Sequence, residues 1–359
     1  LLVSLHMTGT ETHSAQHVYP GSVCLCAVKR PVKENHNKPL PGTLSILALL
    51  FSLLSLLPGS ALSQNDYNNI LILLSDNKDV YLDVATTITN TTIKYCRNHE
   101  LSCQNSNYDI VHISSYDQQR HKNYKAIITL GTHAAIVSGK NIRDITIISA
   151  LIPKNNVMIQ ETLTTNPKQH FLYLDQPAGH SLALIKALSS RFEDIGIVVD
   201  SKDQATVESL QNAAMRLKLN LLIEQIFSND QVGTAINNLL ERIDIFLTTP
   251  DTNIHNKSTV SNILLSTYRK RIPLIGFSSA YVKAGALAAV YSSPEDIAYQ
   301  VRDNIIAHFS SEEIPLEQQM GKYFSVLFNT DVARSLGFPI KSESKLKSRM
   351  MDYIQHDFD

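Results

Sequence analysis

Short apolar runs alternate with amphipathic segments along the chain from residue 70 onwards. Ile70–Leu74 and Ala126–Leu130 have the length of strands and contain no charged residue, whereas Gln204–Lys218 places its apolar residues on one helical face. We therefore predict strands at 70–74, 110–113, 126–130, 145–149, 171–174, 195–199, 219–223, 243–247 and 272–276. The segments between them predict helices: one carrying Val80, Val84 and Ile88, one beginning near Thr132, and others at 178–188, 204–218, 231–241 and 256–268.

This alternation predicts βαβ units, in which successive strands are parallel and helices cover the sheet. The near-continuous apolar strands agree with that prediction, because a parallel sheet is covered on both faces. The pattern restarts at residue 178, and no low-complexity linker separates the two blocks. We therefore predict an α/β protein with two doubly wound lobes that are joined by tight chain crossings.

Residues 44–57 read LSILALLFSLLSLL, an uncharged run that is shorter than the roughly 20 residues a membrane-spanning helix needs. Basic residues precede the run, and Pro58-Gly59 and Ser60–Ser63 follow it. This order predicts a secretory signal peptide that is cleaved after Ser63, and therefore a location in the periplasm. An uncleaved membrane anchor and a buried helix are the alternatives. We interpret residues 1–38 as a gene-boundary artefact or a disordered extension, so that residues 1–63 take no part in the predicted fold.

The positions of the cysteines agree with export. Cys24 and Cys26 precede the predicted cleavage site, whereas Cys96 and Cys103 follow it and flank the polar stretch RNHELS. An oxidising compartment would allow the latter two to form a disulfide. Two unpaired thiols are the alternative, because a sequence gives no Cα distance. No Cys follows the cleavage site directly, so a lipid anchor is not expected.

Composition narrows the range of functions. The 359 residues carry 32 basic and 33 acidic side chains, and this balance argues against a broad nucleic-acid-binding face. Only 13 glycines are present, which weakens any interpretation that needs a Gly-rich phosphate loop. The sequence contains no GxSxG, HExxH or GxGxxG motif, and the histidines that follow the predicted cleavage site lack the paired helical spacing of metal ligands. We therefore expect no enzyme activity, no cofactor and no metal site.

Polar side chains follow most of the predicted strands. In open parallel sheets, ligands bind outside the carboxyl ends of the strands, so these side chains are the candidate ligand-binding residues. They are rich in hydroxyl, amide and carboxylate groups, which suit a small polar solute. The candidates are Ser75, Asp76, Gly131, Thr132, His133, Gln176, Asp251, Thr252, Asn253, Ser278, Ser279 and Tyr281.

Four of these candidates suggest specific roles, each with an alternative. The turn before the helix that starts near Thr132 offers free N–H groups to an anion such as a carboxylate, unless Thr132 is only a helix cap. Asp76 and Asp251 can each hold a ligand ammonium, or each can cap the helix that follows it. Tyr281 either stacks on a ligand ring or packs at the interface between the lobes.

Several segments resemble, in order, one family of proteins. The chain is similar to the extracytoplasmic substrate-binding proteins of ABC transporters, in the branch that includes tryptophan- and tyrosine-type binding proteins. His133 and the strand end LLSDN differ from the residues that are usual at these positions in that family, which leaves the identity of the ligand open. The matching segments are AIITLGTHAAI (126–136), TIISALIP (146–153), YLDQPAGHSLALIKAL (173–188), IGIVVD (195–200), IDIFLTTPDTN (243–253), RIPLIGFSSAYVKAGALAAV (271–290) and FSVLFNTDVARSLGF (324–338).

The resemblance implies a type I periplasmic-binding fold, in which two Rossmann-like lobes close on a small-molecule solute such as an amino acid. It implies that residues 64–174 and 285–318 form lobe 1 and that residues 175–284 and 319–359 form lobe 2. The crossings between the lobes then lie near 174–177, 283–286 and 318–323. The implied partner is an ABC permease in the inner membrane. Two alternatives remain open: a sensor domain that docks on a signalling receptor, and an exported α/β enzyme.

Overall fold

A computed structural model describes residues 17–18, 68–117, 122–154, 159, 161, 166–256, 258–310, 319–338 and 340–358. The apolar run 44–57 and the predicted cleavage site after Ser63 lie outside the described residues. Within the described part of the chain, no helix combines the length and the hydropathy that crossing a membrane requires.

Strands and helices alternate along the described chain, as the hydrophobic pattern predicts. The strands are β1 (His17–Val18), β2 (Asn69–Leu74), β3 (Asn107–His112), β4 (Ala126–Leu130), β5 (Thr146–Ile152), β6 (Gln169–Tyr173), β7 (Asp194–Asp200), β8 (Asn220–Ile226), β9 (Ile245–Leu247), β10 (Leu274–Gly276), β11 (Ala288–Tyr291) and β12 (Phe324–Phe328). The α-helices are α1 (Asp79–Asn98), α2 (Thr132–Asn141), α3 (Ala178–Leu188), α4 (Gln204–Leu217), α5 (Val232–Leu239), α6 (Val260–Arg269), α7 (Ser279–Ala284), α8 (Pro294–Phe309), α9 (Thr330–Ser335) and α10 (Glu343–Phe358).

The first sheet has the strand order β3-β2-β4-β5-β6, and all its strands are parallel. Ile72 of β2 pairs with Ile128 of β4, and both side chains are fully buried. On one face, Val84 of α1 and Val301 of α8 lie in the same apolar core as these two residues. On the other face, Ala134 of α2 belongs to a separate apolar core. We call this sheet, with α1, α2 and α8, the first lobe.

The second sheet has the order β1-β12-β11-β10-β9-β7-β8. Strands β7 to β11 are parallel, whereas β12 is antiparallel to β11 and β1 is antiparallel to β12. Ile197 of β7 and Leu346 of α10 share the core on one face, and Phe246 of β9 and Ile236 of α5 share the core on the other. We call this sheet, with the remaining helices, the second lobe. Its edge strand β1 lies within residues 1–38, which were predicted to take no part in the fold; that prediction is wrong for His17 and Val18, which pair with β12.

From β2 onwards, the described part of the chain passes between the lobes at three places. Residues 174–177 join β6 to α3, and residues 320–323 lead from Gln319, which bridges Leu172 of β6, into β12. The remaining crossing differs from the expected position at 283–286. Strand β11 pairs in parallel with β10, so residues 285–291 belong to the second lobe and not to the first. This crossing falls at Ser292–Ser293, between β11 and α8.

The first turn of α8 fixes the chain directly after this crossing. Ser293 Oγ accepts the N–H of Asp296, and Asp296 Oδ2 accepts the N–H of Ser293, which together form a capping box. Pro294 occupies the first helical position, where its missing N–H costs no hydrogen bond. Asp296 also accepts the hydroxyl of Ser325 in β12 at 2.8 Å. The helix that covers the first sheet is therefore hydrogen-bonded to a strand of the second.

Candidate functional site

Both sheets contain the same doubly wound arrangement. β2 lies between β3 and β4 in the first sheet, and β7 lies between β8 and β9 in the second. From β2 to β3 the chain adds a strand on one side of β2, and from β4 onwards it adds strands on the other side; β7, β8 and β9 repeat this arrangement. The positions between β2 and β4 and between β7 and β9 are therefore the topological switch points of the two sheets. Ligands of open α/β sheets bind outside the carboxyl ends of the strands at such switch points. We therefore define the first half-site as the residues after β2 and β4, and the second half-site as the end of β7 and the residues that follow β7 and β9.

Gly131 and Ser75 form the centre of the first half-site. Gly131 has a φ of +93°, a left-handed conformation that favours glycine, and a Cβ there would lie 2.7 Å from Ser75 Oγ. Ser75 Oγ accepts the N–H of Ala134 at 2.8 Å in the first turn of α2. Gly131 is the residue that precedes the helix, and Thr132 is the first helical residue. Thr132 is therefore not the cap of α2, because the capping oxygen comes from Ser75.

The amino end of α2 retains donors for a ligand. The N–H groups of Thr132 and His133 have no acceptor among the described residues. Thr132 is half-buried and His133 is exposed. Because the helix dipole is positive at this end, the two N–H groups and the Thr132 hydroxyl form an arrangement suited to a carboxylate.

Asp76 does not cap α1, and its charge is already paired. Its Oδ1 accepts the N–H of Asn77 at 2.8 Å, and its Oδ2 lies 2.7 Å from Lys78 Nζ. The hydrogen bond from Lys78 lowers the pKa of the Asp76 carboxyl. α1 begins at Asp79 without a side-chain cap. An exposed carboxylate with a local cation contributes little to holding a ligand ammonium, so the prediction for Asp76 is weakened.

The second half-site is built around Asp251 and Asp200, which Asn253 connects. Asn253 Nδ2 donates to Asp200 Oδ2 at 2.9 Å, and the Asn253 N–H donates to Asp251 Oδ1 at 2.8 Å. Thr252 is exposed beside them. α6 begins only at Val260, so Asp251 is not its cap. Residues after β9 and the last residue of β7 are thus held together at the switch point.

Asp251 is the carboxylate in this half-site that is best placed to take a cation. Burial raises the pKa of Asp251, and the nearby carboxylates of Asp200 and Asp203 raise it further. Asp200 accepts the N–H of Lys202, which lowers its own pKa, and Asp203 caps α4 through the N–H of Thr206. Asp251 is therefore half-buried among like charges, an arrangement that a ligand ammonium would relieve.

Tyr281 packs inside the second lobe. Its side chain is 5% exposed, and its hydroxyl lies 2.7 Å from Nδ1 of the buried His255. Its ring also contacts Phe277. Ser278 caps α7 by accepting the N–H of Tyr281, and Ser279 is half-buried in the first turn of the same helix. Tyr281 is thus part of the protein core, and its ring is not available for stacking on a ligand.

Gln176, predicted as a ligand-binding residue, lies in a crossing. Its Nε2 donates to Ser292 Oγ at 2.6 Å, and its Oε1 lies 2.9 Å from His180 Nδ1. A Cβ at Gly321 would collide with the Gln176 amide. Gln176 therefore contacts the other two crossings, and both ends of its amide are engaged. We assign it to the hinge between the lobes instead of to the ligand.

Sequence reasoning missed several residues at this edge. Asp200 satisfies the strand-end rule, since it is the last residue of β7, but it is not among the predicted candidates. Asp175, in the first crossing, accepts the N–H of Lys154 at 2.8 Å, and burial raises the pKa of the Asp175 carboxyl. Leu151 adopts a φ of +58° where the β5–β6 register shifts. A bulge of this kind leaves no signal in the sequence.

The two half-sites are each held by their own lobe. No hydrogen bond or ion pair among the described residues joins the Ser75 and Gly131–His133 set to the Asp251–Asn253 or Ser278–Ser279 set.

Away from the half-sites, Cys96 and Cys103 form a disulfide with a Cα–Cα distance of 5.6 Å, which links the end of α1 to the turn that follows. Among the described residues, no group of three His, Cys, Asp or Glu side chains is arranged to hold a metal ion.

Known proteins resemble this chain in sequence. The family model described as ABC transporter substrate binding protein matches residues 80–347. A tyrosine-binding protein of Clostridioides difficile (strain R20291) is 22% identical over 222 residues, which are 56% of this chain and 62% of the relative. The chain thus spans less than two thirds of that relative's length.

Solved structures share the fold. A substrate binding protein with adhesive properties from Clostridium difficile, in its ligand-free, open form, has a TM-score of 0.59 and 16% identity over 77% of this chain and 97% of its own. An ABC domain from Streptococcus pneumonia in complex with L-Trp has a TM-score of 0.50 and 19% identity over 78% of this chain and 98% of its own. These similarities confirm the predicted α/β fold of two lobes with parallel-strand sheets.

Proposed function

The chain belongs to the family of ABC transporter substrate-binding proteins, and from this we propose that it captures a free α-amino acid between its two half-sites. The observation that supports the proposal is that the two half-sites have opposite electrostatic character. The first presents the N–H groups of Thr132 and His133 at the positive end of α2, and the second presents the half-buried carboxylate of Asp251. An α-amino acid carries a carboxylate and an ammonium on the same carbon atom, so one ligand satisfies both half-sites.

The names of the relatives support the same class of ligand. The curated relative is called a tyrosine-binding protein, and one solved neighbour holds L-Trp. His133, which is exposed beside the donors of α2, differs from the small residue or proline that its family resemblance leads us to expect. The side chain of the bound amino acid therefore need not be aromatic, and the binding screen must include other classes.

We propose that the lobes close on the ligand and that the closed form delivers it to an ABC permease. Closure would bury the ligand between the polar edges and exclude water from it. We place this function outside the cytoplasm. The Cys96–Cys103 disulfide supports that placement, because such bonds persist mainly in oxidising compartments.

The ligand is bound and released unchanged in this proposal. The half-sites contain carboxylates and backbone donors, and the residues of the second half-site are engaged with one another through Asn253. Recovery of the bound amino acid and its identification by mass spectrometry test this point directly. Conversion of the ligand to a product during incubation would contradict it.

Calorimetry and thermal unfolding of the purified chain test the proposal with L-tyrosine, L-tryptophan and a panel of aliphatic, polar and charged amino acids. A ligand at 100 times its Kd stabilises the folded state by about 2.7 kcal/mol. Asp251→Asn keeps the shape and the acceptor for Asn253 but removes the charge, so it is expected to weaken binding at least about tenfold.

Asp331→Asn is the matched control, because Asp331 is an exposed carboxylate of the same lobe that pairs only with Arg334 among the described residues. Its ligand affinity is expected to equal that of the original chain. The proposal is wrong if no amino acid in the panel binds, or if Asp251→Asn binds as tightly as Asp331→Asn does.

A further inference from the structure

A cavity of about 740 Å³ lies in the second lobe, away from the half-sites. Two of its lining residues, Arg191 and Phe192, lie within three residues of the start of β7, and a third, Leu287, directly precedes β11. These are the amino ends of parallel strands, whereas the half-sites lie at the carboxyl ends. The cavity is therefore at the opposite edge of the sheet, and its volume falls within the range of small-molecule pockets.

The floor of the cavity is apolar. Phe192 contacts Phe338 edge to face, with ring centroids 5.2 Å apart. Leu287 and Leu346 are 1% and 7% exposed and extend the same surface, to which Ile340 adds a partly buried side chain. A hydrocarbon group placed on this floor would be removed from water without displacing a polar side chain.

The rim of the cavity is cationic. Arg191, Lys341, Lys345 and Arg349 all line it and are exposed, and no Asp or Glu is among the lining residues. None of these four cations has a carboxylate partner among the described residues. Glu193 is two residues from Arg191, and Glu343 is two residues from both Lys341 and Lys345, but among the described residues no ion pair joins either acid to these cations.

The placement of two of these cations is unfavourable for α10 by itself. Lys345 and Arg349 are four residues apart on the helix, where like charges repel. Lys345 is also in the first turn, where the helix dipole disfavours positive charge. An anion bound at the rim would offset both effects, which gives the arrangement a physical use.

We propose that this cavity binds a single-chain amphiphile with an anionic head, such as a medium-chain carboxylate. The hydrocarbon chain lies on the floor formed by Phe192, Leu287 and Phe338, and the head group lies among the four cations. This proposal is independent of the ligand and of the function proposed for the half-sites.

Calorimetry with sodium octanoate and decanoate, below their micelle concentrations, tests the proposal. Burial of each added methylene strengthens binding roughly fourfold, so decanoate is expected to bind on the order of tenfold more tightly than octanoate. Decyltrimethylammonium has the same chain with the opposite charge and is expected not to bind. Saturation of the half-sites with their ligand, or the substitution Asp251→Asn, is expected to leave decanoate binding unchanged.

The double substitution Lys345→Gln with Arg349→Gln removes charge from an exposed helix face and leaves the floor intact. It is expected to weaken decanoate binding about tenfold or more. Arg242→Gln with Arg269→Gln is the matched control, because both arginines are exposed on the second lobe and neither lines the cavity. The control is expected to bind decanoate as the original chain does.

Three results would overturn the proposal. Equal binding of decanoate by the two double variants would show that Lys345 and Arg349 do not contribute to binding. Equal binding of decanoate and decyltrimethylammonium would show that the cavity is an apolar surface that does not select for the charge of the head group. Sedimentation with phosphatidylglycerol vesicles, lost in Lys345→Gln with Arg349→Gln, together with no binding of free decanoate, would assign the cations to a membrane surface instead.

Discussion

Gln176 Nε2 donates a hydrogen bond of 2.6 Å to Ser292 Oγ, and this contact joins two crossings between the lobes that are distant in sequence. Ser292 Oγ in turn lies 3.3 Å from the carbonyl oxygen of Leu174. The Gly321 N–H donates to the carbonyl oxygen of Asp175 at 3.0 Å, which brings in the remaining crossing. The hinge is therefore one hydrogen-bonded unit.

Replacing Gln176 is expected to weaken that unit. Gln176→Ala removes the bonds to Ser292 and His180, and a loss of about 1–3 kcal/mol in the free energy of unfolding is expected. Chemical denaturation measures it. Gln211→Ala is the control, since Gln211 is exposed on α4, and its stability is expected to match the original chain. Equal stability of the two variants would mean that the hinge amide is energetically unimportant.

Gly321→Ala is expected to destabilise the chain through the same amide. The new Cβ would collide with Gln176 Nε2 and would lie 2.7 Å from Ser292 Oγ. In a Gln176→Ala background the first collision disappears, so the same substitution at residue 321 is expected to cost less. A double-mutant cycle in denaturant measures this coupling. Strict additivity of the two single effects would contradict the close approach of Gly321 to Gln176.

Asp251→Asn is expected to stabilise the ligand-free chain at pH 7 while it weakens ligand binding. The pKa of Asp251 is raised by burial and by nearby carboxylates, so its ionised form is disfavoured in the folded state. A raised carboxyl pKa favours folding only at low pH, and this contribution is lost as the pH rises through the folded-state pKa. Thermal unfolding at pH 7 measures the gain. A lower melting temperature than that of Asp331→Asn would refute the expected repulsion.

Acidification is expected to destabilise the hinge through His180. Burial lowers its pKa to about 4, from an ordinary value of 6.5. The unfolded chain takes up this proton first, so stability is complete above pH 6.5 and is lost as the pH falls toward 4, by at most about 3 kcal/mol. His180→Asn keeps a donor for Gln176 but does not titrate. Its unfolding free energy is expected to vary less between pH 7 and pH 4.5, and an unchanged pH slope would exclude His180 as the cause.

Reduction of the Cys96–Cys103 disulfide is expected to lower stability. Because the bond closes a short loop, the entropy it removes from the unfolded chain corresponds to about 2–3 kcal/mol. The measurement compares thermal unfolding with and without dithiothreitol. The variant Cys96→Ala with Cys103→Ala is expected to unfold at the lower temperature in both buffers. A response of that variant to dithiothreitol would show that the reductant acts elsewhere.

The hydrophobic pattern was sufficient to predict the fold class and many of the elements. Ala126–Leu130 and Ala178–Leu188 have the bounds predicted from the sequence, because each apolar run ends at a turn or at a helix boundary. β5 extends to Ile152, beyond the predicted end at residue 149, through the bulge at Leu151. A left-handed residue inside an apolar run leaves no trace in the pattern.

The candidate site was only partly predictable, because a strand-end rule selects positions and not contacts. It selected Thr132 and Asp251, which retain donor and acceptor groups at the switch points. It also selected Gln176 and Tyr281, whose partners, Ser292 and His255, are distant in sequence. Such partners become known only when the chain is folded.

The interleaving of the lobes also determines when each can be completed as the chain is made. The strands of the first sheet end at Tyr173, yet α8, which buries Ile72 and Ile128 on one face, starts at Pro294. The second lobe similarly needs β12 and α10, from the last part of the sequence. A growing chain therefore exposes apolar surface of the first sheet until α8 has been synthesised, and of the second sheet until β12 and α10 have been synthesised. Neither lobe can reach its final core before then, and the exposed sheet surface can be captured by chaperones during that time.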